Sequence, residues 1–138
     1  MNINWKFIVK VTGFILILES LFLILSATMA YYHHGTDTQA FVYSAVISFV
    51  LGAGLILPAG FRKKTNIINK RDSYVGVAFS WIAFALIGAL PFYLSGTFSS
   101  FTDAFFESMS GITTTGASII PNVDIMPRGI LFWRSLMQ

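Results

Sequence analysis

Three long apolar runs constrain this chain more than any other feature. The first extends from about Phe7 to Tyr32, with Lys10 at its start and Glu19 as its only other charge. The second, Ala40 to Phe61, and the third, Ser73 to about Phe98, carry no charge at all. A hydrocarbon core of about 30 Å is crossed by roughly 20 helical residues, so each run is long enough to span. None alternates with period two as a barrel strand does, which leaves helices as the spanning structure. Only 11% of the 138 residues are charged, against about 25% in soluble domains. A soluble fold of this size would lack the polar surface to cover itself, and a disordered chain would not be this apolar. The expected fold class is an all-α integral membrane protein.

The net charge of +3 does not indicate a nucleic-acid partner. Five of the nine basic residues (Arg62, Lys63, Lys64, Lys70 and Arg71) fall in one short loop between two spans. Such a loop is a topology signal rather than a phosphate-binding stripe. Lys6 and Lys10 precede the first span, and the connection from His33 to Gln39 has no Lys or Arg. Both clusters lie on one side of the membrane if the N-terminus is cytoplasmic, and the third span then ends outside. The first run has a rival reading as a secretory signal with Ser26 to Ala30 as its cleavage region, but it is too long and Glu19 interrupts it. With no cysteine there is neither a disulfide framework nor a thiolate chemistry.

After Phe98 the character changes. Ser99-Ser100-Phe101-Thr102-Asp103 carries hydroxyl caps, with Asp103 three residues after Ser100 as in a capping box. This predicts a short helix from Thr102 to about Ser110, roughly 13 Å long and too short to span. Gly111-Ile112-Thr113-Thr114-Thr115-Gly116-Ala117-Ser118 follows, where glycines and β-branched residues oppose continued helix. A half-helix that enters from outside and gives way to irregular backbone reads as a re-entrant loop. The negative end of its dipole favours a cation. Thr113, Thr114, Thr115 and Gly116 can then direct backbone oxygens at a dehydrated ion, as hard donors suited to alkali cations. The competing reading is a small, non-transporting helical adaptor whose Thr/Gly segment is an extracellular turn.

The stretch from Asp103 to Ser118 resembles the first pore loop of the Trk/Ktr/HKT superfamily of potassium uptake proteins, most closely its TrkH-type bacterial subunit. Phe132-Trp133-Arg134-Ser135-Leu136-Met137-Gln138 is similar to the start of that family's following pore-lining helix. The resemblance implies a pore of four helix–pore loop–helix repeats in one polypeptide, K+ as the transported ion and no other cofactor. It places K+ at Thr114, Thr115 and Gly116. Some sodium-permeable relatives carry serine where Gly116 stands, so the glycine implies potassium preference. The resemblance also implies a homodimer in the inner membrane of a bacterium, surrounded by lipid and coupled to a cytosolic nucleotide-binding regulatory subunit of the TrkA type. On this reading residues 1–70 are an accessory two-helix hairpin (helices 7–32 and 40–61). Residues 71–138 are the first repeat, with a helix at 73–98, a pore helix at 102–110, a filter at 113–117 and a truncated helix from 129. The chain is then an N-terminal fragment supplying one of four filter segments, and the remaining repeats are its partners.

Asp103, Glu107 and Gly111 are assigned to filter support or the outer vestibule. Glu107 is expected to brace the filter, being within reach of loop amides. Asp37, Asp103, Glu107 and Asp124 all fall outside on this topology and make the vestibule acidic. Glu19 is expected to find Ser20 or Ser48 as partner within the bundle. Arg134 is expected either to pair with an acid of another repeat or to act as a barrier charge. His33 and His34 beside Asp37 are expected to form a solvated loop rather than a metal site. No nucleophile–base pair, phosphate-cradling loop or dinucleotide fingerprint is present, so no enzymatic activity is expected.

Overall fold

The computed structural model describes residues 4–59, 70–120 and 122–138, and every regular element among them is helical. The basic residues Arg62, Lys63 and Lys64, and the expected end of the second helix at 60–61, lie outside the described residues. Helix α1 is Trp5–Tyr32, α2 Thr38–Ala59, α3 Lys70–Gly88, α4 Leu90–Leu94, α5 Phe101–Ile112 and α6 Arg128–Met137. Three helical stretches are long and apolar enough to cross a membrane: Trp5–Tyr32, Thr38–Pro58 and Lys70–Leu94. Their outward faces carry exposed Phe14, Phe49, Leu57 and Trp81. Water would penalise such faces, whereas lipid does not.

Helices α1 and α2 form an antiparallel pair that approaches closely at two glycines. A Cβ on Gly13 would sit 2.9 Å from the Gly52 carbonyl oxygen, and one on Gly52 would sit 2.8 Å from that of Gly13. Small residues at a crossing let two backbones touch, and dispersion then holds them where no hydrophobic effect operates. Hydroxyls reinforce the packing. Ser48 Oγ donates to the Leu16 carbonyl at 2.7 Å, and the Thr12 and Ser80 hydroxyls meet at 3.2 Å between α1 and α3. The start of α1 is tied to the start of α3 through the Asn4 amide, which donates to Asp72 Oδ1 at 3.3 Å.

The third span ends sooner than the helix expected to Phe98. It begins at Lys70, stays α-helical through Ala89 and ends at Leu94. Pro91 has no N–H to give the preceding turn, which loosens the ladder there. Past Leu94 the chain reverses through Ser95 and Gly96, the latter at φ +73°. This reversal lays α5 back against α3 and α4.

The core gathers where α1, α2, α3 and α6 meet, around Leu16, Leu23, Phe41, Ile130 and Trp133. Trp133 is 1% exposed. Its ring stacks on Phe84 of α3 and meets Phe41 of α2 edge-on, and its Nε1 donates to the Gly88 carbonyl at 3.0 Å. One side chain thus joins three elements.

Glu19 is fully buried, and neither of its carboxylate oxygens has a hydrogen-bond partner among the described residues. The serines expected to serve it are engaged elsewhere. Ser20 Oγ donates to the Ile17 carbonyl and Ser48 Oγ to that of Leu16. Hydroxyls in apolar helices close onto nearby backbone carbonyls when these are in reach.

Candidate functional site

Ser100 caps α5 by accepting from the Thr102 amide at 3.2 Å, and Asp103 lies exposed in the first turn. The helix extends through Gly111 to Ile112, 12 residues in place of the nine expected. Gly111 is a contact residue here and not a breaker. A Cβ there would come within 3.1 Å of Met137 Cβ and 3.3 Å of Arg134 Nη1, so the glycine lets α6 lie against the end of α5. Its helical cost of about 1 kcal/mol is offset by that packing.

Beyond Ile112 the backbone alternates in hand. Thr113 has φ −80°, Thr114 +54° and Gly116 +77°, while Thr115 stays in the negative region. The amides of these four residues all turn back onto the open end of α5. Thr113 N donates to the Met109 carbonyl (3.0 Å), Thr114 N to Gly111 (2.9 Å), and Thr115 N and Gly116 N to Ser110 (3.1 and 3.5 Å). They satisfy the carbonyls a helix end otherwise leaves bare. In a trans peptide the C=O points opposite to the following N–H. The carbonyls of Thr113, Thr114 and Thr115 therefore point away from α5. Threonine hydroxyls lock the turn: Thr113 Oγ1 reaches the Met109 carbonyl at 2.8 Å and the Thr115 hydroxyl at 2.8 Å. Ser110 Oγ donates to the Ala117 carbonyl at 2.5 Å and holds the strand as it leaves.

Glu107 is fully buried behind this strand. Its Oε1 accepts from Ser118 Oγ at 2.9 Å and its Oε2 from the Ile119 amide at 3.1 Å. The same Oε1 accepts from Arg134 Nε at 2.6 Å, and Arg134 Nη1 donates to Gln138 Oε1 at 3.1 Å. This corrects the expectation for Arg134, whose acidic partner lies not in another repeat but on the neighbouring helix α5, 27 residues earlier. A helix-to-helix pairing of this kind depends on how α6 folds back onto α5, which no spacing rule reveals.

Of the four acids expected on the outer side, two meet solvent. Asp103 and Asp124 are exposed, but Asp37 is 1% exposed and Glu107 is fully buried. Asp37 Oδ2 accepts from the Ile130 amide at 3.1 Å, because the α1–α2 turn folds over the start of α6. His33 and His34 lie exposed in that turn. Sequence reasoning missed Ser110 and Ser118. Each lies within seven or 11 residues of its partner across the loop, and the density of hydroxyls around the Thr/Gly run was the available signal.

The model of a family described as TrkH, cation transport protein, matches residues 37–138. The Trk system potassium uptake protein TrkH of Escherichia coli K12 is 32% identical over 136 residues, covering 98% of this chain and 28% of its own. The homologous protein of Halomonas elongata is 34% identical over 134 residues, 96% of this chain and 27% of its own. The crystal structure of the potassium transporter TrkH from Vibrio parahaemolyticus superposes with a TM-score of 0.88 at 32% identity, over 97% of this chain and 28% of that one. The chain thus spans a little over a quarter of the length of these relatives.

Proposed function

We propose, from the premise that this chain belongs to the TrkH family of cation transport proteins, that its Thr113–Gly116 segment is one wall of a potassium-selective filter. The observation that carries this reading is the direction of the peptides. The amides of Thr113 to Gly116 are spent on the end of α5, so the carbonyls of Thr113, Thr114 and Thr115 face outward together. A row of such oxygens replaces the hydration shell of a large monovalent cation. Four walls of this kind close a ring, and this chain supplies one. Gly116 takes φ +77°, a conformation in which a side chain is strained. Gly111 lets α6 pack behind the wall, Glu107 braces it, and Asp103 lies at its mouth.

In this reading α5 enters from the outer surface with the N-terminus cytoplasmic, and the bacterial inner membrane is the site of action. Residues 1–70 form the accessory hairpin and 71–138 the first repeat. The intact transporter is a homodimer regulated by a cytosolic nucleotide-binding subunit. The relatives named above are potassium uptake proteins, and the reading assigns this chain transport without catalytic chemistry.

Gly116→Ser tests the reading in the intact transporter. Among the described residues a Cβ at Gly116 has only Gln138 Nε2 nearby, at 3.5 Å, so serine fits in space but strains the backbone by about 1–2 kcal/mol. Potassium uptake is expected to persist, with discrimination against sodium reduced about tenfold, since 1.4 kcal/mol is a tenfold change. Competition of sodium against rubidium uptake in a potassium-uptake-deficient strain measures it. Unchanged discrimination contradicts the assignment.

A further inference from the structure

A chain of short contacts connects the hairpin of α1 and α2 to the proposed filter. Asp37 begins α2 with its main chain, the Phe41 amide donating to its carbonyl at 3.2 Å. Its side chain serves a different helix, 93 residues away in sequence. Oδ2 accepts from the Ile130 amide at 3.1 Å in a fully enclosed site. Helix α6 has Pro127 at its N-cap, with no side-chain cap of its own. The Asp37 carboxylate therefore stands where a capping residue would, against the positive end of the helix dipole.

Gly129 makes the approach possible. A Cβ there would collide with Asp37 Oδ2 and come within 2.7 Å of Ala30 Cβ and 3.0 Å of Phe41 Cε2. One turn further along α6, Arg134 Nε holds Glu107 Oε1 at 2.6 Å, and Glu107 holds the Ser118 hydroxyl and the Ile119 amide. The path runs from the α1–α2 turn, along a single rigid turn of helix, to the backbone that leaves the Thr/Gly strand.

We propose that Asp37 is a positioning residue for the filter: by capping α6 from the hairpin it fixes where Arg134 and Glu107 hold the strand, so the hairpin is a strut of ion selectivity. The proposal rests on the filter reading above. The carboxylate sets the axial position of α6, and α6 sets the position of the guanidinium. A displacement at Ile130 reaches the strand because each contact after it is short and the Arg134–Glu107 pair that carries it is buried. The position of the carbonyls, through cavity size and the field of their dipoles, decides which ion exchanges its water for them.

The test uses Asp37→Ala, Asp37→Asn and Gly129→Ala in the intact transporter, with Gly116→Ser alongside, each at matched membrane abundance. The readout is sodium competition against rubidium uptake, with KM and maximal rate taken separately. Asp37→Ala and Gly129→Ala are expected to lower potassium-over-sodium discrimination about threefold to tenfold, the scale of a lost helix cap. Asp37→Asn keeps an oxygen for the Ile130 amide and is expected to stay within about twofold of the parent, as Asn caps nearly as well as Asp. Should Asp37→Ala fail to accumulate, Gly129→Ala and Asp37→Asn decide the matter. Discrimination unchanged in Asp37→Ala and Gly129→Ala, with only the maximal rate reduced, overturns the strut if Gly116→Ser has lost discrimination. An equal loss in Asp37→Asn and Asp37→Ala also overturns it, in favour of a long-range charge effect. Discrimination unchanged in Gly116→Ser as well removes the filter reading, and the strut with it.

Discussion

Arg134→Ala is expected to abolish potassium uptake and to destabilise the membrane domain. The Arg134 side chain is 11% exposed, and its partner Glu107 is fully buried. Removing one member of a buried pair leaves the other charge without compensation, which costs about 3–5 kcal/mol. Glu107→Ala removes three bonds at once, to Ser118, Ile119 and Arg134. Glu107→Gln is no remedy. An amide has one acceptor oxygen, and its NH₂ must face either the Ile119 amide or the Arg134 guanidinium, both of which are donors. The double variant Glu107→Ala with Arg134→Ala is expected to be no less stable than Arg134→Ala alone, since the orphaned charge is gone. Thermal unfolding in detergent and rubidium uptake at matched abundance measure both effects. Additive losses in the double variant would show that the two residues do not act as a unit.

Trp133→Ala is expected to lower stability by about 3–5 kcal/mol, the range for truncating a buried aromatic. The ring fills the space between Phe41 and Phe84, and its loss detaches α6 from both α2 and α3. Trp133→Phe keeps most of the packing but leaves the Gly88 carbonyl without its indole donor, which costs about 1–3 kcal/mol. The predicted order of unfolding temperature is parent, Trp133→Phe, Trp133→Ala. An alanine variant as stable as the phenylalanine variant would contradict the role of Trp133 as the joint among three helices.

The parts of this architecture that were legible in the sequence are those fixed by local physics. Bilayer-length apolar runs announce their helices because lipid satisfies no backbone group. Ser100 announces the start of α5 because a hydroxyl there meets the amides of the first turn. The end of α5 was misjudged because Gly111 reads locally as a helix breaker, whereas its meaning is tertiary, the approach of Met137 and Arg134. Asp37 and Arg134 were misplaced for a shared reason. Only the fold brings the Ile130 amide to the Asp37 carboxylate and the Glu107 carboxylate to Arg134. Glu19 remains the least legible residue, a buried carboxyl whose expected serine partners turn to their own helix or to the backbone beside it.

Thiol accessibility at Thr114 tests the central claim most directly. This chain has no cysteine of its own, and single cysteines at Thr114 and Asp124, in an intact transporter cleared of any other cysteine, can be probed with a membrane-impermeant reagent from outside. Asp124 is expected to label quickly in any salt. Thr114 is expected to label slowly in sodium and more slowly still in potassium, because on the proposed reading a bound potassium ion would occupy the oxygens beside it. A Thr114 cysteine that labels as fast as Asp124, indifferent to which ion is present, would contradict the placement of this strand in an ion path.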